Sequence, residues 1–301
     1  MSALAPQDHP PLPIPAELVP ASNRDRHINV GFEAYRPIRP LTDKVRAENL
    51  LWHSLLHAGQ LEAWDDPLHA IQRRFGVDRS IWGVFVDLQT GALSWELRLL
   101  NDQPGAALGV LDSLRAALRP WIEVAPGLDA LGPYAVLGLR FDASTMASGR
   151  IPAIELHERD ADSPHTLVHR VTATTREQVS RELLREPKRH INEVLPAIKS
   201  SEFVDFAARP RVLGRVMIPE LFACRRLHVA KRPSCDGLCF SGVSVEQLSF
   251  TYKRFEYPAP MLEFLTANQA ALEHLLFDVA IEYREDDGRI VYPKTGYYGS
   301  F

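Results

Sequence analysis

Apolar residues along this chain follow two alternating rhythms, one of period two and one near 3.6. The period-two rhythm is cleanest in Ala92–Leu100, where Leu93, Trp95, Leu97 and Leu99 share one face and Ser94, Glu96 and Arg98 the other. His27–Tyr35 alternates in the same way and predicts a strand with Glu33 on the face opposite Phe32. Further strands are predicted over Ser80–Leu88, turned by Gln89-Thr90-Gly91 into Ala92–Leu100, and over the pair Tyr134–Asp142 and Arg150–Glu158. His165–Val171 reads as a short extra strand, and Arg211–Met217 with Arg226–Lys231 as a broken pair around Pro219–Cys224.

Helical spacing predicts Thr42–Gly59, carrying Leu50, Leu51, Leu55 and Leu56, then Pro67–Phe75 and Ala106–Leu118, which stops before Pro120. Thr174-Thr175-Arg176-Glu177 reads as a capping box opening a helix to Arg185, with a second helix from Pro187 to Lys199. The last quarter reads as strand Gly237–Ser244, strand Gln247–Arg254, helix Met261–Leu275, strand Leu276–Tyr283, an Asp287-Gly288 turn, strand Arg289–Lys294 and the close Thr295–Phe301. Hairpin-length turns within the pairs imply antiparallel neighbours. Paired strands alternating with helices predict an α+β antiparallel barrel wrapped by helices. No Gly/Ser linker interrupts the ordered chain, so residues 23–301 are expected to form one domain. Residues 1–22, with six prolines, are expected to be a flexible arm.

Composition narrows the classes. Apolar residues make up 46% and charged residues 24%, as in soluble globular proteins. A net charge of −4 supplies no electrostatic reason to expect a nucleic-acid or anionic-membrane partner. Cys224, Cys235 and Cys239 match no zinc spacing and read as reduced fillers in a cytoplasmic protein. No apolar run reaches the ~20 residues that span a bilayer. The start of the chain lacks the pattern of a secretory signal.

Most motifs fail on inspection. His53 and His57 stand at the i, i+4 spacing of zinc peptidases, but Ser54 occupies the place of the glutamate base. His165 and His169 have the same spacing in a predicted strand, where they form a polar face. No phosphate-binding glycine loop and no nucleophile elbow is present. Asp65-Asp66 and Asp286-Asp287 lack the further aspartate of a magnesium–diphosphate motif, and Asp287-Gly288 fits a type I′ turn. What remains is a set of cations placed on predicted strands: Arg98, Arg150, Lys253 and Lys294. Alternate residues of a closed barrel face its lumen, so cations from several strands can converge without a glycine loop. Solvated side chains at strand ends are the other reading of the same four.

Three stretches of the last quarter, Leu238–Ser244, Leu248–Lys253 and Thr295–Phe301, resemble the cyanobactin peptide prenyltransferases (the TruF/PatF group). Val86–Leu93 with Glu96–Arg98, Ser148–Arg150 and Phe32–Ala34 extend the resemblance over most of residues 28–301. That family belongs to the ABBA prenyltransferases, ten-strand antiparallel barrels of αββα repeats. The resemblance implies transfer of an isoprenoid from an allylic diphosphate, usually with magnesium, to a ribosomal peptide that is typically macrocyclic. It implies Glu33 as general base, Arg98, Arg150, Lys253 and Lys294 as diphosphate ligands, and Tyr297 and Tyr298 as aromatic residues near the donor. It further implies Phe240 and Phe277 as walls of the isoprenoid pocket, with the bulk of Phe240 selecting dimethylallyl diphosphate over the ten-carbon donor. Ser94 stands where relatives can carry lysine, and Leu156 where a tyrosine is expected. Glu96, if it faces the lumen, becomes a candidate for binding a cationic acceptor such as arginine. The expected protein is a cytoplasmic monomer. Prenylation of a small aromatic metabolite and a non-catalytic peptide-binding barrel are the alternatives.

Overall fold

Ten strands close into a barrel in which each pairs antiparallel with its sequence neighbour, and the last returns to pair with the first. The structure, a computed structural model, describes residues 18–101, 107–125, 133–160 and 163–301. The strands are β1 (Ser80–Asp87), β2 (Leu93–Leu100), β3 (Val136–Asp142), β4 (Ile154–Arg159), β5 (His165–Val171), β6 (Arg176–Arg185), β7 (Arg226–Lys231), β8 (Asp236–Val243), β9 (Phe277–Asp286) and β10 (Lys294–Ser300). Helices cover the outside, among them α1 (Glu48–His57), α2 (Leu61–Phe75), α3 (Ala107–Leu118), α4 (Ile191–Lys199), α5 (Val245–Arg254) and α6 (Ala259–Ala267). The expected antiparallel α+β barrel of ten strands is therefore what the chain forms.

The alternation in β2 is what builds the wall. Trp95, Leu97 and Leu99 point outward into a continuous apolar layer shared with the helices, where Trp95 donates to the Ser54 hydroxyl of α1. Glu96 and Arg98 point inward and are buried all the same. Outward Leu137, Leu139 and Phe141 of β3 repeat the pattern, as do Val279, Ile281 and Tyr283 of β9. Two lumen-facing glycines give room to aromatic rings. A Cβ on Gly83 would sit 2.7 Å from the Tyr298 ring, and one on Gly296 would overlap the Phe85 ring. The turn at Asp287-Gly288 has positive φ at both residues (45° and 74°), as the type I′ reading requires.

Several expectations are corrected. Arg176–Arg185, expected as a helix, is strand β6, because it is hydrogen-bonded along both edges, to β5 and to β7. Pairing on two sides outweighs a local helix-start signal. Gln247–Arg254, expected as a strand, lies in α5. Ser244 and Gln247 form a reciprocal capping box, and buried Val245, Leu248 and Tyr252 follow helical spacing. Arg211–Met217 is also helical, not a strand. His27–Tyr35 is not one strand but a hairpin. His27–Ile28 pairs with Ala34–Tyr35, and the Asn29 carboxamide oxygen accepts from the Gly31 and Glu33 amides to close the turn. Order begins before Arg24: Pro20 bridges to Val45, and the Val19 amide donates to Asn49. Residues 1–17 of the expected arm lie outside the described residues.

The hairpin decides which end of the barrel is open. Its tip residue Val30 enters the lumen where β1 begins and β10 ends, packing with Ile28, Ile81 and Tyr298. The Val30 amide donates to the buried Asp278 carboxylate at 2.5 Å, and the Gly242 amide donates to the other oxygen at 3.0 Å. That end is plugged. At the opposite end, where β2 and β10 begin, the Arg140 side chain is 45% exposed.

Candidate functional site

The barrel lumen holds a cluster of charges, several of them at inward positions of strands such as β2 and β3 whose outward positions are apolar. Arg98 is anchored twice, its Nε donating to Glu96 at 2.6 Å and its terminal nitrogen donating to the Tyr298 hydroxyl at 2.9 Å. Arg140 of β3 lies 3.3 Å from the other Glu96 oxygen and 3.3 Å from Glu155 of β4. Arg232, just beyond β7, donates to Glu282 of β9 at 2.7 Å. Lys294 opens β10 with its ammonium 5.3 Å from the centre of the Phe85 ring, and among the described residues no carboxylate lies within ion-pair distance of it. Glu182 of β6 faces His228 of β7, whose Nδ1 is 3.9 Å from the carboxylate. No arginine or lysine contacts Glu182 among the described residues.

Burial sets the electrostatics here. It pushes the Glu96 carboxyl up, but the Arg98 and Arg140 guanidiniums outweigh it and hold the group well below the usual carboxylate range. Burial likewise raises Glu182, while His228 and Arg98 pull it down further, so it stays ionised. Burial, helped by Arg140, lowers the Lys294 ammonium. Burial and the nearby Arg98 lower His157 to about 4, so this imidazole is neutral in the folded chain.

His274, fully buried beside His27, is pushed down to about 4 in the same way, by burial first. This gives a stability prediction. Both histidines keep depressed values when folded, whereas the unfolded chain takes up protons near 6.5. Stability is then full above that point and falls as pH drops from about 6.5 to about 4, levelling below it. A denaturation midpoint followed against pH is expected to show this decline, and replacing both residues with glutamine is expected to flatten it.

The predicted site residues fall in several separate places. Arg98, Lys294, Tyr298 and Glu96 meet at the lumen. Phe240, Phe277 and Tyr297 do not. All three are fully buried in the apolar layer outside the wall, where the Tyr297 ring stands 5.3 Å from Tyr252 of α5. Their parity is the reason: Cys239 and Tyr298, next to Phe240 and Tyr297, and Ala280, three residues from Phe277, line the lumen instead. Arg150 and Lys253 also fall away from the others. Arg150 is exposed in a two-residue bridge to Glu123–Val124, and Lys253 is exposed on α5.

Glu33 sits at the plugged end, 43% exposed, with its two oxygens 3.0 and 3.1 Å from Arg226 at the start of β7. Lys294, at the start of β10, lies toward the other end of the barrel, and Glu33 is not among the residues lining the cavity that Lys294 enters. Glu96, the expected acceptor ligand, is already shared between two arginines.

Sequence reasoning missed Arg140, Arg232, Glu182, His228 and Glu282. For Arg140, His228 and Glu282 the signal was present, a polar residue at the inward phase of an alternating strand. Glu182 was hidden by the helix reading of its segment.

The open space among these groups is small, about 30 Å³, against the ~150 Å³ of an apolar cavity that takes up one benzene. A five-carbon diphosphate needs more, so its binding requires lumen side chains to move. The lumen carboxylates Glu96, Glu155 and Glu282 each already meet a guanidinium, and among the described residues no group of three or more metal-ligating side chains is assembled. The residues present do not form a magnesium site. Among the described residues no helix is long and apolar enough to cross a membrane. No protein-family model matches the chain, and no curated protein matches it significantly.

Proposed function

We propose that this barrel transfers an isoprenoid, the five-carbon dimethylallyl group, from its diphosphate to a side chain of a ribosomally made, macrocyclic peptide, acting as a cytoplasmic monomer. The observation that carries the reading is the meeting of cations and aromatic faces in one lumen. Arg98 lies 4.7 Å from the centre of the Tyr298 ring, and Lys294 lies 5.3 Å from that of Phe85. Transfer from an allylic diphosphate asks for both partners. Cations stabilise the leaving pyrophosphate as its charge develops. Aromatic faces stabilise the allylic cation and exclude water from it. In this reading Lys294, the lumen cation without a carboxylate in contact, takes the diphosphate first. Arg232 and Arg140 then swing from their glutamates to complete the clamp. Magnesium enters only as the counter-ion the diphosphate carries. Peptide acceptors, arginine among them, approach from the end where Arg140 is exposed.

The test is release of pyrophosphate and the mass gain of peptides bearing arginine, tyrosine or tryptophan, with dimethylallyl and geranyl diphosphates as donors. Transfer of the five-carbon group is expected, with at least a tenfold loss of donor affinity in Lys294→Ala. No pyrophosphate from any donor and peptide pair overturns the reading. That outcome favours a non-catalytic binding barrel, which the pairing of each lumen arginine with a glutamate and the small cavity also support.

A further inference from the structure

We infer that Glu182 and His228 form a proton-accepting dyad inside the lumen, with His228 Nε2 the atom that takes the proton from a protic acceptor. As a catalytic assignment it rests on the transfer reading above; as a carboxylate–imidazole pair it stands by itself.

Elimination and geometry lead to the same pair. A base for this lumen must face the cavity and have a lone pair not already spent. Glu33 is at the plugged end with both oxygens on Arg226. Glu96 is divided between Arg98 and Arg140. Glu282 accepts from Arg232. Asp278 accepts the Val30 and Gly242 amides that hold the hairpin. His157 is buried and is held neutral by burial and Arg98, which makes it a poor proton acceptor. Glu182 and His228 remain, and both line the same cavity as Arg98 and Lys294.

The orientation within the pair is specific. Nδ1 of His228 is the nitrogen turned to the Glu182 carboxylate, 3.9 Å away. A carboxylate on that side favours the tautomer with the proton on Nδ1 and leaves the Nε2 lone pair free. The same carboxylate would neutralise the imidazolium once formed. Glu182 of β6, Cys239 of β8, Asp278 of β9 and Glu33 of the hairpin face His228, Arg98 of β2 lines the same cavity, and His157 of β4 stands near Glu182. Of these, Glu182 is the carboxylate in contact without a cationic partner or an amide claiming it.

The step balances. The donor's C–O bond breaks with its electron pair on the diphosphate, and the acceptor's lone pair closes the new bond to the allylic carbon. The proton the acceptor sheds passes to His228 Nε2 and then to solvent.

Two measurements on the full chain decide the matter. In nitrogen-resolved histidine spectra, His228 is expected to carry its proton on Nδ1, and Glu182→Gln is expected to abolish that preference. A wild-type His228 protonated on Nε2, or a tautomer unmoved by Glu182→Gln, overturns the dyad whether or not the protein turns over any donor. In the transfer assay, wild-type kcat is expected to fall as pH is lowered. His228→Gln is expected to lose about 100-fold in kcat, together with that acid limb, while the KM for donor is little changed. His228→Asn serves as the second variant, and an unchanged denaturation midpoint shows that either one folds. Active wild type with full kcat and an intact acid limb in a folded His228 variant removes the catalytic role. A wild type that is inactive with every donor, beside an Nδ1–H tautomer lost in Glu182→Gln, overturns the transfer reading and keeps the dyad.

Discussion

Phe240→Ala is expected to cost about 3–5 kcal/mol of stability and to leave the ratio of five-carbon to ten-carbon donor use unchanged. The side chain is fully buried on the outward face of β8, opposite Leu227 of β7 and Val279 of β9, in the layer where the barrel meets its helices. Truncating it opens a void between two rigid layers that cannot collapse onto each other. A residue lining the donor pocket would behave in the opposite way, with little stability loss and a large gain for geranyl diphosphate. Urea denaturation and a competition between the two donors separate these outcomes. A stable variant that prefers the longer donor would put Phe240 back in the pocket.

The second large effect is expected at Glu96. Glu96→Ala should cost about 3–5 kcal/mol, because it leaves Arg98 buried without its carboxylate and strips Arg140 of one of two partners. Removing both charges is a different matter. Glu96→Leu with Arg98→Leu is expected to recover most of that loss, since a buried ion pair replaced by apolar groups is often neutral in stability. The double variant should also lose the Arg98–Tyr298 contact and with it donor affinity. A denaturation series with constant slope measures the first effect, and donor titration the second. If Glu96→Ala unfolds at the wild-type midpoint, the lumen ion pairs are not what holds β2 and β3 in register.

The two predictions show where the sequence could be read and where it misled. Glu96 and Arg98 were legible because β2 alternates sharply, apolar against charged, and burying Trp95, Leu97 and Leu99 outward forces the charges inward. Phe240 was misplaced because the middle of β8 is apolar on both faces. Leu238, Cys239 and Phe240 carry no polar member to mark the lumen side. Lys253 and Arg150 were misplaced with their elements, a capped helix taken for a strand and a two-residue bridge taken for a barrel strand.

The amino-acid sequence by itself determined the antiparallel class, the short-turn pairing of strands, and the inward charges wherever one strand face is apolar. Each of these depends on side-chain period, which is a local property. Only the tertiary structure decided the rest. Arg176–Arg185 became a strand because two neighbours hydrogen-bond it, and that alone turned Glu182 toward His228. Closure of β10 on β1 put Lys294 and Tyr298 on the same wall as Phe85. The Asn29 turn folded one expected strand into a plug, which carried Glu33 to the end of the barrel away from Lys294. Pairing partners, strand parity and the choice of open end are set by contacts between residues far apart in the chain, and no local period encodes them.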